Sequence, residues 1–232
     1  MKKIFYTLIM VLAVSTAKSQ TEVSFGADLV SSYVWRGTLC AGTSIQPALG
    51  LSIGDFSIGA WGSVDASNRG FKEVDLAVSY AFGGFTVGVT DYWWNGEGAF
   101  DYFHFKENES SHLLEANLSY AHESGFSLAW NTMLAGAQDK DFVTGDRVFS
   151  SYAEAGYTFD VNGIELTAAL GFCPWKPNHM YGTTTDSFAV TNISLAASKT
   201  IEITNMFSVP VFSQLIFNPA TEDVFLVFGV SF

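Results

Sequence analysis

Charged and polar side chains in this chain fall mostly at alternate positions inside apolar runs. Asp28, Arg36, Trp61, Asp65, Glu73, Asp75, Glu115, Glu154 and Glu165 are the candidates for function, and Gln46, Asn117 and Asn131 share their parity. On one face of a set of strands, these residues suit the lining of a polar passage. Acids far outnumber the single arginine, so such a passage favours cations or neutral polar solutes. Arg36 is expected to cross the lumen to Glu73 or Asp75, with Trp61 and Asp65 close by. That pairing has two readings. One is a charged constriction that selects solutes; the other is a salt-bridged plug that holds the wall together.

Other chemistry is thinner. Ser110 and His112 put a hydroxyl and an imidazole on one strand face, a start toward lipid hydrolysis. Nucleophilic catalysis also needs an orienting acid and an oxyanion hole, and the nearby Asn131 has the opposite parity. No catalytic set is assigned. Asp139-x-Asp141 opens like a Ca²⁺ loop, but Val143 stands where a third oxygen ligand belongs. No metal site or cofactor is expected. Cys40 and Cys173 both fall near the long-loop rim, which leaves a disulfide and two thiols both open.

The elements that must position these residues are strands. From Glu73 to Phe82, Val74, Leu76, Val78, Tyr80 and Phe82 share one face, opposite Glu73, Asp75, Ala77, Ser79 and Ala81. Twelve such segments recur, roughly at 21–36, 44–53, 56–65, 73–82, 85–94, 112–120, 126–134, 148–159, 164–173, 187–198, 207–217 and 224–232. About ten residues is the length that a tilted strand needs to span a bilayer. Short turns such as Gly54-Asp55 and Gly83-Gly84 alternate with long loops such as Asn95 to Ser111. That beat predicts an all-β fold, a single up-and-down antiparallel transmembrane β-barrel of about twelve strands.

Two aromatic girdles are expected. Phe56, Tyr80, Phe82, Phe85, Tyr120, Phe126, Tyr157 and Phe159 flank the short turns, and Trp35, Trp61, Tyr92, Trp93, Trp94 and Trp130 lie toward the long loops. Asp91 breaks the pattern by aiming at lipid, which a bulge near Thr90 or a strand already leaving the membrane would resolve. The loop Asn95 to Ser111 is the one expected to fold inward. The last strand alternates Val224, Leu226, Phe228, Val230 and a terminal Phe232, the form in which a bacterial barrel presents itself to its assembly machinery.

Residues 1–19 have the form of an export signal. Lys2 and Lys3 precede an apolar stretch from Ile4 to Val14, and Ala17-Lys18-Ser19 ends it in a small-x-small cleavage pattern. Residues 20–232 then form the barrel. Removing the signal takes Lys2, Lys3 and Lys18 from 11 bases, leaving eight against 23 acids and a net charge of −15. Such acidity excludes nucleic acid as a partner. The 48% apolar content excludes disorder.

The stretch Ser31-Ser32-Tyr33-Val34-Trp35-Arg36-Gly37 resembles the TorF family of porins. Gln46-Pro47, Gly59-Ala60-Trp61-Gly62-Ser63, Glu73-Val74-Asp75-Leu76 and Ser79-Tyr80 extend the likeness over the first ninety residues or so. The resemblance implies an outer-membrane barrel and a channel; it brings no substrate and no catalytic residue. The expected function is passive diffusion of small polar or cationic solutes through the outer membrane of a Gram-negative bacterium, with lipids around the barrel and both mature termini periplasmic. A plugged structural or surface-binding barrel is the alternative, and a lipid-modifying enzyme the third. The oligomeric state is not legible.

Overall fold

The computed structural model describes residues 21–66, 71–95, 101–106, 109–141, 143–175, 180–182 and 187–232. The proposed signal, residues 1–19, lies outside them. Twelve strands close into one antiparallel barrel: β1 (Thr21–Val30), β4 (Ser44–Ile53), β5 (Phe56–Asp65), β6 (Lys72–Phe82), β7 (Phe85–Asn95), β8 (His112–Ala121), β9 (Phe126–Gly136), β10 (Ser151–Val161), β11 (Ile164–Cys173), β12 (Ala189–Thr204), β13 (Phe207–Asn218) and β14 (Asp223–Ser231). Two further strands, β2 (Tyr33–Trp35) and β3 (Thr38–Ala41), pair only with each other.

Side-chain parity follows the ladder. On β12, Ile193, Leu195 and Ile201 are exposed, and they face outward beside Leu215 and Phe217 of β13. On β14, Val224, Leu226 and Phe228 do the same. A closed barrel has no second sheet on which to bury that belt, so the belt meets hydrocarbon. Among the described residues, no helix is long and apolar enough to cross a membrane; the strands make the crossing. Leu195→Arg, on the outward face, should destabilise the barrel by about 2–4 kcal/mol if it sits near the bilayer midplane. Ala196→Arg, facing the lumen, should cost much less. Urea unfolding of the barrel in vesicles measures both.

The aromatics flanking the short turns are outward as expected, with Tyr80, Phe82 and Phe85 in a stacked row. The second girdle is a correction. Trp35, Trp61, Tyr92 and Trp94 point inward and pack round the β2–β3 hairpin. Only Trp130 of that group is exposed on the outer face.

Two other boundaries move, and one expected bulge is absent. The first wall strand stops at Val30 rather than residue 36, because the chain turns inward at Ser31. The tenth strand, expected to end at residue 198, runs on to Thr204 as β12, which leaves only Asn205-Met206 for the turn. The β6–β7 ladder is regular through Ala77↔Thr90 and Leu76↔Asp91, so no bulge turns Asp91 inward.

Closure joins β1 to β14 through Asp28↔Ser231, Leu29↔Val230 and Val30↔Gly229. Ala27 and Phe232 then exchange backbone hydrogen bonds of 3.2 and 3.0 Å. The terminal residue thus finishes the seam.

Candidate functional site

The lumen differs at its two ends. Toward the short turns its inward side chains are small, including Gly50, Ser52, Ser57, Gly59, Ser79 and Thr86. Their hydroxyls pair across strands, as Ser52 does with Ser57 at 2.9 Å and Thr158 with Thr167 at 2.9 Å. Side chains fill a barrel of about eight strands. Side chains this small do not fill a barrel of twelve strands, although Phe212 also points inward beside Ser198 and lies against Gly229.

Toward the long loops the lumen is occupied. Residues 31–43 leave β1, fold inward as the β2–β3 hairpin, and return to β4. The tip is Arg36-Gly37, with φ values of 52° and 84°. Two successive positive values are what the type I′ two-residue hairpin turn demands. Gly37 carries its value without cost and lies so close to β12 that a Cβ there would sit 1.8 Å from the Thr191 carbonyl oxygen. The Asn218 amide of β13 donates to the Gly37 carbonyl at 3.0 Å.

Arg36 is the arm of the hairpin. Its Nη1 donates to Glu115 Oε1 at 2.6 Å and its Nη2 to Glu115 Oε2 at 2.9 Å, a fork on both oxygens. Nη1 also reaches the Tyr181 hydroxyl at 3.0 Å. The guanidinium carbon lies 4.4 Å from the Trp35 ring centroid, 4.8 Å from that of Tyr152 and 5.2 Å from that of Tyr181. Glu115 is 0% exposed. Tyr92 Oη and Asn117 Nδ2 donate to its Oε2 at 2.9 and 2.8 Å. A buried carboxylate needs this density of donors to stay charged without a large penalty.

The expected pairing of Arg36 with Glu73 or Asp75 is therefore corrected: the partner is Glu115. Alternation placed all three acids inward, and strand order put Glu73 and Asp75 near the rim of Arg36, but neither could say across which chord of the barrel the arginine would reach. Glu73 and Asp75 line the neighbouring wall, both buried. Glu73 Oε1 accepts from Trp94 Nε1 at 2.6 Å, while Glu73 Oε2 and Asp75 Oδ1 meet no hydrogen-bond donor among the described residues. Trp61 lies edge-on to Tyr33 of the hairpin, 5.5 Å between centroids. Glu154 accepts from Asn192 Nδ2 at 2.9 Å and from the Tyr152 hydroxyl.

Arg36, Trp61, Glu73, Asp75, Glu115 and Glu154 thus gather around the hairpin. Asp65 stands at the loop end of β5, opposite Ser44. Asp28 lies at the closing seam opposite Ser231. Glu165 lies at the short-turn end of β11, 3.5 Å from the Ser198 hydroxyl. The last two take no part in the hairpin cluster.

Several members of the site were absent from the sequence reading: Gly37 at the hairpin tip, Tyr92 as a donor to Glu115, and Trp35, Tyr152 and Tyr181 as the rings around one guanidinium. A signal existed. Arg36-Gly37 lies between Tyr33-Val34-Trp35 and Thr38-Leu39-Cys40, which is the form of a two-residue hairpin. Uninterrupted alternation through Ser31 and Ser32 hid it.

The other candidates resolve as structural. His112 and Asp91 share the outward face, and His112 Nδ1 lies 2.9 Å from Asp91 Oδ2. Asp91 is thus paired, and Tyr102 and Phe105 cover His112 from outside, at 4.8 and 4.6 Å between centroids. The described part of the loop Asn95 to Ser111 therefore lies over the outer wall, and residues 31–43 fold inward instead. His112 Nε2, which would have to activate a nucleophile, is taken by the Tyr102 carbonyl at 2.7 Å. Ser110 Oγ accepts from the His112 backbone N–H.

Asp139 accepts from the Phe149 and Ser150 N–H groups, each at 3.1 Å. Burial pushes its carboxyl above the ordinary range, opposed by Ser150, Phe149 and Arg147. Asp141 caps Val143 and Thr144. Cys40 and Cys173 are free thiols.

No family model and no curated protein matches this chain. Solved structures do resemble it. An outer membrane channel from Pseudomonas putida is 12% identical, with 94% of this chain and 95% of that chain covered and a TM-score of 0.44. BamA from Haemophilus ducreyi lacking POTRA domains 1–3 is 11% identical over 88% of this chain and 42% of that one, with a TM-score of 0.42. A doubly substituted OprD is 13% identical over 91% of this chain and 65% of that one, with a TM-score of 0.40. The chain thus spans under half of that BamA and about two thirds of that OprD. The TorF likeness stays a likeness of motifs, and its most specific stretch, Tyr33 to Gly37, lies in the inward hairpin.

Proposed function

We propose that this chain is a porin-like channel of the Gram-negative outer membrane, closed in this conformation by its own β2–β3 hairpin. The cargo is small polar or cationic solutes that diffuse passively. One observation carries the reading: a lumen lined toward the short turns mostly by small side chains ends on a hairpin whose tip is tied to the wall by the Arg36–Glu115 ion pair and the Asn218–Gly37 hydrogen bond.

Asp28, Asp65, Glu73, Asp75, Glu115, Glu154 and Glu165 line the path with Trp61, and Arg36 is their one cation. Once Arg36 withdraws, the constriction is wholly acidic, which favours cations. Residues 1–19 act as the export signal, the short turns and both mature termini face the periplasm, and the strand ending in Phe232 is what the barrel-assembly machinery receives. Phe232, 66% exposed beside the outward row of β14, supports that role.

The test is single-channel recording in planar bilayers under a salt gradient. Wild-type protein should give rare steps, and Arg36→Ala frequent ones, with a reversal potential on the cation-selective side. Silence in both would favour the second reading, a permanently plugged structural or surface-binding barrel, for which the saturated network at Glu115 speaks. Unchanged current together with unchanged stability in Arg36→Ala would remove both.

A further inference from the structure

We infer that the wall around Glu115 is a binding site for guanidinium groups, and that Arg36 is the occupant that the chain itself supplies. In its bearing on traffic through the barrel, this rests on the channel reading above. Two observations lead to it.

The first is the backbone. Arg36 sits at φ 52°, a conformation that Gly, Asn or Asp adopts at far lower cost than a long side chain. Turn geometry offers no reason for arginine at this position. The side chain's partners do.

The second is that, apart from the Trp35 ring on the hairpin itself, the partners stand outside the hairpin. Glu115 comes from β8, Tyr92 from β7 and Tyr152 from β10, while Tyr181 belongs to the segment Met180–Gly182 between β11 and β12. Asn117 and Tyr92 hold Glu115 Oε2 from the wall side. Both carboxylate oxygens are presented together, and the rings of Tyr152 and Tyr181 flank them. A flat cation with paired N–H donors and a face that stacks on aromatic rings fits this arrangement. A compact ammonium cannot span both oxygens in that way. With Arg36 withdrawn, Glu115 would be a buried carboxylate held only by neutral donors, so the empty site calls for a replacement cation. A small solute carrying a guanidinium group supplies one. It competes with Arg36 for Glu115 and so keeps the hairpin out of the lumen.

The experiment uses the full-length mature barrel refolded in detergent, with methylguanidinium chloride as the probe. Methylammonium chloride, sodium chloride and urea at equal millimolar concentrations are the comparisons. In Arg36→Ala, methylguanidinium should raise Tm saturably and change the tryptophan fluorescence, since Trp35 lies against the site. The other three should do neither. Arg36→Ala combined with Glu115→Gln should lose the response. In wild-type protein the same probe should speed maleimide labelling of Cys40, which rides on β3; this readout stands even if Arg36→Ala fails to fold.

Equal responses to methylammonium and methylguanidinium would overturn the site, as would no response in either protein. Bilayer current plays no part in these readouts. A saturable methylguanidinium response with silent bilayers would support the site and refute the channel. Current without that response would refute the site alone.

Discussion

Glu115→Leu should open the barrel. The substitution leaves Arg36 buried, with the Tyr181 hydroxyl as its one remaining polar partner of those described at the site. Removing one partner of a buried, hydrogen-bonded ion pair typically costs about 3–5 kcal/mol. Arg36 avoids most of that cost by leaving, since it is carried on a hairpin that pairs only with itself. The expected results are a higher open probability in bilayers and faster maleimide labelling of Cys40 in a Cys173→Ser background. The double variant Arg36→Met with Glu115→Leu is the control. It replaces the pair by apolar groups of similar volume, which is often neutral or stabilising, and it should restore slow labelling. If Glu115→Leu alone labels at the wild-type rate, the ion pair is not what holds the hairpin.

Gly37→Val should release the same hairpin by a different force. The new Cβ would lie 1.8 Å from a backbone oxygen of β12 and at φ 84°. Left-handed backbone costs a side chain with a Cβ roughly 1–2 kcal/mol, and the clash adds to it, because Thr191 sits in a wall strand that cannot retreat. The tip must move, and the fork of Arg36 on Glu115 moves with it. Cys40 labelling should again accelerate. The heat-shifted gel mobility of the folded barrel should be unchanged, because Gly37 takes no part in the strand-to-strand ladder of the wall and meets it only through the Asn218 side chain. Gly37→Ala should act in the same direction and more weakly. Loss of the folded band would mean that the tip is needed to assemble the wall.

These two effects fall on residues that the chain alone made only half visible. Strand number and wall parity were plain, because a period of two is a local property that burial on one side and lipid on the other impose together. Glu73 to Phe82 reads the same in the sequence and in the barrel. So do the outward row of β14 and the aromatics flanking the short turns. The parity of Glu73, Asp75 and Glu115 was also legible; Asp91, on the outward face beside His112, is the exception.

Partners were not legible. Tyr33 and Trp35 continue the alternation of β1, and nothing local distinguishes a strand that stays in the wall from one that leaves it at Ser31. The sequence reading offered Arg36 two partners, Glu73 and Asp75, and missed Glu115; the chord it takes depends on how twelve strands close, which no single strand encodes. Asp91 looked like an error until His112, twenty-one positions along the chain, proved to be its neighbour on the next strand. Sequence by itself determined the wall, its two faces and the sign of charge inside. Only the closed tertiary structure decided what fills the lumen and which carboxylate holds it, because those contacts join residues whose separation is set by the barrel's circumference.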